Sequence, residues 1–391
     1  MKKRFLATIM VIAMVATMLA GCGKKNESND AKKTDTPKSS PVETTKPDDS
    51  AKPDDSAAPD TSDLKFEIIV KSYQSSYWQA AVKGVNQEAE KLGVKVNCTG
   101  PNAESDIADQ VNMLNNAINN APNGIGLAAC DQDACLDALQ TAMDKKIPVV
   151  CFDSAIPNAP KGSVLSTVAT DNRGAGATAA ENLYNALKDK IASAKAPVRI
   201  GEVNQEATSE SITSRGLGFI DKIIELATAD GKKVAVIGND YYVSKCKDAG
   251  DEKTADVIIE VAVPAQTTVE LCATEASVIL NKADTIGIFG SNQVAAEGIL
   301  TANENLDKLG SDPASKILAA GFDAGSVIKG AIKSGTMFGA VTQSPLAMGI
   351  TTIDVLVNIA KGEKVEDVPT QGYWYNKDNM EDETIAPNLY D

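Results

Sequence analysis

The chain has 391 residues, 43% hydrophobic and 23% charged, a composition that supports a globular protein of two domains. Its net charge of −15 argues against nucleic acid as a partner, because neutralising phosphates takes clustered Lys and Arg. Histidine is absent, which excludes Ser-His-Asp chemistry, His-based metal sites and a His proton shuttle.

Lys2, Lys3 and Arg4 precede an apolar run from Phe5 to Met18 that is too short to span a membrane comfortably. The run ends in Leu19-Ala20-Gly21-Cys22, which resembles a bacterial lipobox. By that resemblance residues 1–22 are a lipoprotein signal peptide, and Cys22 is diacylated on sulfur as the first residue of the mature chain. The expected location is extracytoplasmic, lipid-anchored to the outer face of the bacterial cell membrane. Residues 23–63 are rich in Pro, Ser, Asp, Lys and Thr, and Lys46–Ala51 repeats as Lys52–Ala57. Such a segment buries too little apolar surface to offset the entropy of ordering, so a disordered tether is expected, with no folded domain before Leu64.

From Leu64 onward, short apolar runs alternate with helical stretches. Strands are predicted over 66–70, 94–98, 125–129, 148–152 and 164–169. A helix over 173–188 leads to further strands over 198–203, 234–238, 257–263, 285–289, 317–321 and 338–342. Near-continuous apolar strands between amphipathic helices mean parallel sheets covered on both faces. So many strands divide into two doubly wound lobes, an α/β fold. The polar stretch 239–256 interrupts the rhythm and is expected to be a surface excursion or hairpin. Six cysteines follow Leu64, and Cys98 and Cys151 at strands read as small buried hydrophobes. Cys246–Cys272 is the candidate disulfide, since an exported chain permits one. Without His or a C-x-x-C pair, no metal site is expected.

The residues after each strand carry the functional signal. Ser75, Tyr77 and Trp78 follow the first strand, where a helical pattern begins with Ala81, Val82, Val85 and Ala89 on one face. The aromatic pair either plugs the first helical turn or offers a ring face to a ligand. Asp131 follows the third strand, and Asp153 and Ser154 the fourth. Arg215 lies in SITSRGLGF at a helix start, Asn292 closes GIFGSN, Asp323 closes AAGFD and Gln343 closes GAVTQ. Each Asp, Asn or Ser alone reads as a helix N-cap. Together they place acceptors, amides and one guanidinium beside an aromatic pair at the strand ends, where α/β folds bind ligands. That is the chemistry for a neutral polyol, with an aromatic face for the C–H side of a sugar ring.

In order along the chain, SSYWQAAVKGVNQEAEKLG, IPVVCFDS, TVATDNRGAG, SRGLGF, GSNQVAAEGIL, GFDAG and VTQSPLAMG resemble the type I periplasmic binding proteins for sugars, the ribose-binding-protein family. The likeness runs from Leu64 to about Tyr375. It implies two lobes with a ligand cleft between them: 64–170 plus 344–371, and 171–343 plus 372–391. Three hinge crossings would join them at Thr170-Asp171, Gln343-Ser344 and Gln371-Gly372. By match, Tyr77 and Trp78 stand for the family's ring-sandwiching aromatics, Asp153 for the first-lobe carboxylate and Arg215 for the second-lobe guanidinium. Asn292, Asp323 and Gln343 would make the remaining hydroxyl contacts, and Gln266 falls where an aromatic often completes the sandwich. Ser154 stands where an Arg is common and Ala128 where an Asn is common. Both changes would enlarge the first-lobe wall, which tilts the expectation toward a disaccharide or short oligosaccharide, with a pentose or hexose as the alternative. Trp374, just past the third crossing, is expected between the lobes or at the cleft rim.

The resulting expectation is a monomeric solute receptor, not an enzyme and without a cofactor, that delivers carbohydrate to the permease subunits of an ABC transporter. A sensor presenting its bound sugar or a furanosyl signal to a membrane receptor is the alternative. A repressor is disfavoured by the missing helix-turn-helix. A glycosidase with Asp153 and Asp323 as its carboxylate pair is disfavoured because the resemblance assigns both to hydroxyl binding.

Overall fold

The structure is a computed structural model that describes residues 61–391. The expected signal peptide, Cys22 and nearly all of the expected tether lie outside the described residues. The chain runs β1 (Lys65–Ile69), α1 (Ser76–Leu92), β2 (Lys95–Thr99), α2 (Ile107–Asn119), β3 (Gly124–Leu127), α3 (Leu136–Asp144), β4 (Val149–Phe152) and β5 (Val164–Thr170). It continues through α4 (Asn172–Ser193), β6 (Val198–Val203), α5 (Glu210–Ala229), β7 (Val234–Gly238), α6 (Asp240–Lys245), β8 (Val257–Ala262), α7 (Val269–Leu280) and β9 (Thr285–Gly290). Then come α8 (Gln293–Leu306), β10 (Leu318–Phe322), α9 (Ser326–Ser334), β11 (Gly339–Thr342), α10 (Pro345–Ala360), β12 (Val368–Thr370) and β13 (Tyr373–Tyr375).

Two sheets result, in the orders β12-β5-β4-β3-β1-β2 and β13-β11-β10-β9-β6-β8-β7. All pairings are parallel except β13 on β11. Strand β4 is buried throughout, as are β3, β6, β9, β10 and β11, which is why they read as near-continuous apolar runs, broken in β6 by the buried Arg199 and Glu202. Each sheet carries a buried apolar cluster on either face, so the molecule has two lobes with separate cores. The chain passes between sheets three times: after β5, after β11 and between β12 and β13.

Three local expectations needed correction. Of the two forms expected for 239–256, the surface excursion is found and the hairpin is not: the stretch is largely exposed, and Asn239 caps a short helix, α6, whose Tyr242 alone is fully buried in the second lobe. Strand β7 pairs only with β8, as an extra edge strand outside the regular order. Trp374 does not line the cavity; it is half-buried and packs on Phe338 and against Gly339 beside the second-lobe core. All six cysteines among the described residues are free thiols, with Cys272 in the core.

Helix contacts set the position of the second lobe's central side chain. A Cβ on Gly176 in α4 would sit 2.0 Å from the Arg215 carbonyl oxygen, and one on Gly218 in α5 would sit 2.1 Å from that of Arg173. The NRGAG and SRGLGF motifs are therefore one close helix–helix contact, which fixes the start of α5 beside the start of α4.

Candidate functional site

Residues just beyond the carboxyl ends of β1, β4, β6, β9, β10 and β11 all line a single cavity between the sheets. Strand order reverses beside β1 in one sheet, and such switch points are where open α/β sheets leave a crevice. Two cavity carboxylates share an unusual backbone. Asp153 after β4 has φ +62° and Asp323 after β10 has φ +72°. A left-handed residue outside glycine costs about 1–2 kcal/mol, and Asp tolerates it better than most. Both lobes therefore accept strain at the same relative place to aim a carboxylate at the cleft.

The first-lobe wall is ionic and aromatic. Ser75 caps α1 by accepting from the Tyr77 amide, which starts the helix with Tyr77 and Trp78 in its first turn. The two rings meet edge to face at 4.9 Å. Tyr77 donates its hydroxyl to Asp153 at 2.5 Å, and the Trp78 indole N–H donates to Glu104 at 2.8 Å. Trp78 is only 2% exposed and also belongs to the first-lobe core, so plugging the helix turn and lining the cavity are properties of the same ring. Lys71, directly after β1, forms an ion pair with Asp153 at 3.2 Å and donates to Ser211 of the opposite lobe at 2.9 Å. Burial opposes its charge, yet the carboxylates of Asp153, Glu104 and Glu206 outweigh it and raise the Lys71 pKa above its ordinary value.

The second-lobe wall is an amide network around one guanidinium. Arg215 donates to the Ser291 carbonyl and to Asn172 Oδ1, both at 2.7 Å, and its guanidinium carbon lies 3.5 Å from the Phe322 ring centroid. Its Nε is buried without a hydrogen-bond acceptor from the protein. Asn292 caps α8 with its oxygen and donates its NH2 to Gln205 at 2.6 Å. Gln205 in turn donates to Glu104 across the cleft at 2.7 Å. Asp323 accepts from Gln343 at 2.7 Å and from the Gln293 amide at 3.0 Å. Burial pushes the Asp323 and Glu104 carboxyls up, while Arg215 and Lys71 respectively pull them back. The arrangement offers charge-assisted acceptors and donors around a small space. Among the described residues, no group of three or more acidic or thiol side chains is placed to hold a metal.

Of the residues expected from sequence, Ser75, Tyr77, Trp78, Asp153, Arg215, Asn292, Asp323 and Gln343 come together at this cavity. Three do not line it. Asp131 turns back to accept from the amides of Asp133 and Ala134, which makes it the cap of its own loop. Ser154 is fully buried, and its hydroxyl accepts from the Ser211 amide at the lobe contact. Gln266 is exposed on the loop before α7. Sequence reading missed Lys71, Glu104, Gln205, Ser211 and Gln293. Applying the strand-end argument to β1 and β6 as strictly as to β4 reaches Lys71 and Gln205, which follow those strands by two residues.

The profile of the periplasmic binding protein domain matches residues 66–364. The chain belongs to that family. It is 25% identical over 305 residues to the D-allose-binding periplasmic protein of Escherichia coli (strain K12), spanning 77% of this chain and 86% of the relative. A solved structure from Brachyspira murdochii, described as an ABC transporter, LacI family transcriptional regulator, is 30% identical with a TM-score of 0.69, covering 84% of this chain and 99% of that one. An ABC transporter solute binding protein from Agrobacterium vitis with bound D-fucose is 27% identical with a TM-score of 0.68, covering 83% of this chain and 100% of that one.

Within this periplasmic binding protein the crossings are tied to the cavity. Thr170 donates to Gln343 at 2.8 Å and lies 3.1 Å from the Thr370 hydroxyl, while the Asp171 amide donates to the Thr370 carbonyl at 2.9 Å. Gln343 thus touches a crossing with its oxygen and Asp323 with its nitrogen. Neither of the two sequence departures, Ser154 and Ala128, lines this periplasmic binding protein's cavity. Ala128 is fully buried with its carbonyl taken by Gln110, and Lys71 and Glu104 occupy the wall between Asp153 and Gln205. Among the described residues no helix is long and apolar enough to cross a membrane.

Proposed function

We propose that this chain is the extracytoplasmic receptor of an ABC importer and that it holds one uncharged monosaccharide in the cavity between its lobes. The observation that carries the reading is the cavity wall itself: acceptors, donors and an aromatic pair, contributed by both lobes, around one small space. So little free space is left between the walls that one ring suits it better than two. Gln293, on the cavity wall, bonds to Ser76 across the cleft. D-allose and D-fucose, named with the relatives, are both single rings, which supports the monosaccharide alternative over the larger sugar inferred from Ser154 and Ala128.

In this proposal Asp153, Asp323 and Glu104 accept from hydroxyls, while Lys71, Arg215, Asn292 and Gln343 donate. Trp78 and Tyr77 cover the C–H side of the ring. The lobes close about the crossings at Thr170-Asp171, Gln343-Ser344 and Gln371-Gly372, which shields the hydrogen bonds from water and strengthens them. The receptor is a monomer held near its permease by diacylated Cys22 and the residue 23–63 tether. A thermal-shift screen of monosaccharides and disaccharides tests the reading. A ligand at a hundred times its dissociation constant adds about 2.7 kcal/mol of stability. Stabilisation by a single-ring sugar is expected; stabilisation by disaccharides alone, or by no sugar, would contradict it.

A further inference from the structure

The segment after β13 returns to the cleft. Met380 and Ile385 are buried in the second-lobe core, and Leu389 packs against it. The Asn388 carbonyl accepts from Thr342, and the Tyr390 carbonyl accepts from the Gly325 amide at 3.1 Å. Asp391 forms an ion pair with Lys329. Every backbone anchor of this tail therefore lies in the second lobe. The Tyr390 side chain breaks that pattern, because its ring packs against the first-lobe core cluster. It meets Tyr77 edge to face, with ring centroids 5.8 Å apart. Its hydroxyl accepts from the Ala324 amide at 3.2 Å and donates to Gln293 at 3.4 Å. Gln293 also lines the cavity and donates to Ser76 of the first lobe at 3.1 Å.

We propose that Tyr390 is a closure latch, a positioning residue that fastens the second-lobe tail to Tyr77 of the first lobe and so slows the escape of whatever the cleft holds. The ring contact exists only while the lobes are together, because Tyr77 belongs to the first lobe and every hydrogen-bond partner of Tyr390 named above to the second. It also steadies two cavity residues at once, Tyr77 through its ring and Gln293 through its oxygen. The release part of the proposal rests on the binding-protein reading above, whereas the contact itself rests on geometry alone.

The chain has only two tryptophans, Trp78 beside Tyr77 and Trp374 beside the second-lobe core. Fluorine NMR of the full chain labelled with 5-fluorotryptophan therefore gives one resonance near the latch and one control. Tyr390→Ala should move the Trp78 resonance and leave that of Trp374 in place, with no sugar added. With D-allose as the probe, stopped-flow release should be about fivefold to tenfold faster in the variant, the size of effect of one aromatic pair, with association little changed. Should the alanine chain not fold, Tyr390→Leu removes the ring while keeping apolar bulk on the tail, and the same shifts are expected. An unmoved Trp78 resonance overturns the latch, as does a lower thermal midpoint with unchanged release. If the unsubstituted chain fails to bind D-allose, only the choice of sugar is affected, and the resonance arm still decides the latch.

Discussion

The two cavity walls do the same work with different materials. The second lobe holds Arg215 by two hydrogen bonds and an aromatic face, on a helix pressed against its neighbour through Gly176 and Gly218. Its amides are joined to one another, and Asn292 and Asp323 are tied to helix starts. The first lobe offers a lysine, two carboxylates and two rings, with Lys71 and Glu104 each bonded directly to the opposite lobe. The difference suggests a division of labour: a rigid template in the second lobe and a charged clamp in the first, whose contacts report whether the lobes have met.

Breaking the template should have the largest effect. Arg215→Lys keeps the charge but cannot reach Ser291 and Asn172 as a planar fork. Each hydrogen bond lost from a buried charged group costs about 1.5–3 kcal/mol, so both sugar affinity and second-lobe stability should fall steeply. Calorimetry and chemical denaturation would check this, and a stable second lobe with normal affinity would erase the contrast between the walls. Lys71→Met attacks the clamp instead. Affinity should fall by roughly thirtyfold to a hundredfold, as expected for a charge-assisted hydrogen bond of about 2–3 kcal/mol, while second-lobe stability stays the same.

Trp78→Phe is a sharper and smaller perturbation. It keeps a ring in the first-lobe core but drops the N–H bond to Glu104. A loss of about tenfold in affinity is expected, one charge-assisted bond's worth, with cooperative unfolding retained. Trp78→Ala would confuse the issue, because a residue only 2% exposed also leaves a cavity when truncated.

Glu202 should affect no ligand contact and only the template's pH response. It is fully buried on β6, accepts from Asn204 at 2.6 Å, and burial pushes its pKa from 4.5 up to about 8. Between those two values the folded chain holds a proton that the unfolded chain has released. Folding stability therefore falls with rising pH by up to about 1.4 kcal/mol per unit across that window and levels off above it. Glu202→Gln should remove this slope, making the variant the more stable chain at pH 9 and equal to the parent at pH 4. Parallel stability–pH curves for the two chains would show that Glu202 is not neutral in the fold.

Much of this molecule was legible in its sequence because parallel strands buried on both faces leave no alternation to misread. Val198–Val203 and Val234–Gly238 were located to the residue. Strands β12 and β13 were not seen, since a three-residue strand such as Val368–Thr370 carries too little pattern to distinguish it from a loop. Strand-end side chains were found where they followed their strands directly, as Asp153 and Asp323 do. Asp131 misled because the same position also suits a cap, and only geometry separates the two. Glu104 and Tyr390 were invisible for a different reason: each reaches the cleft from a loop or tail whose path depends on tertiary packing.

The central claim is that one uncharged sugar ring is gripped between the two walls. Calorimetric titration of the full chain with a panel of monosaccharides and their disaccharides tests it most directly. One-to-one binding of a single-ring sugar, weakened when a second ring is attached, is the predicted result. A disaccharide that binds more tightly than either of its component rings would contradict the account.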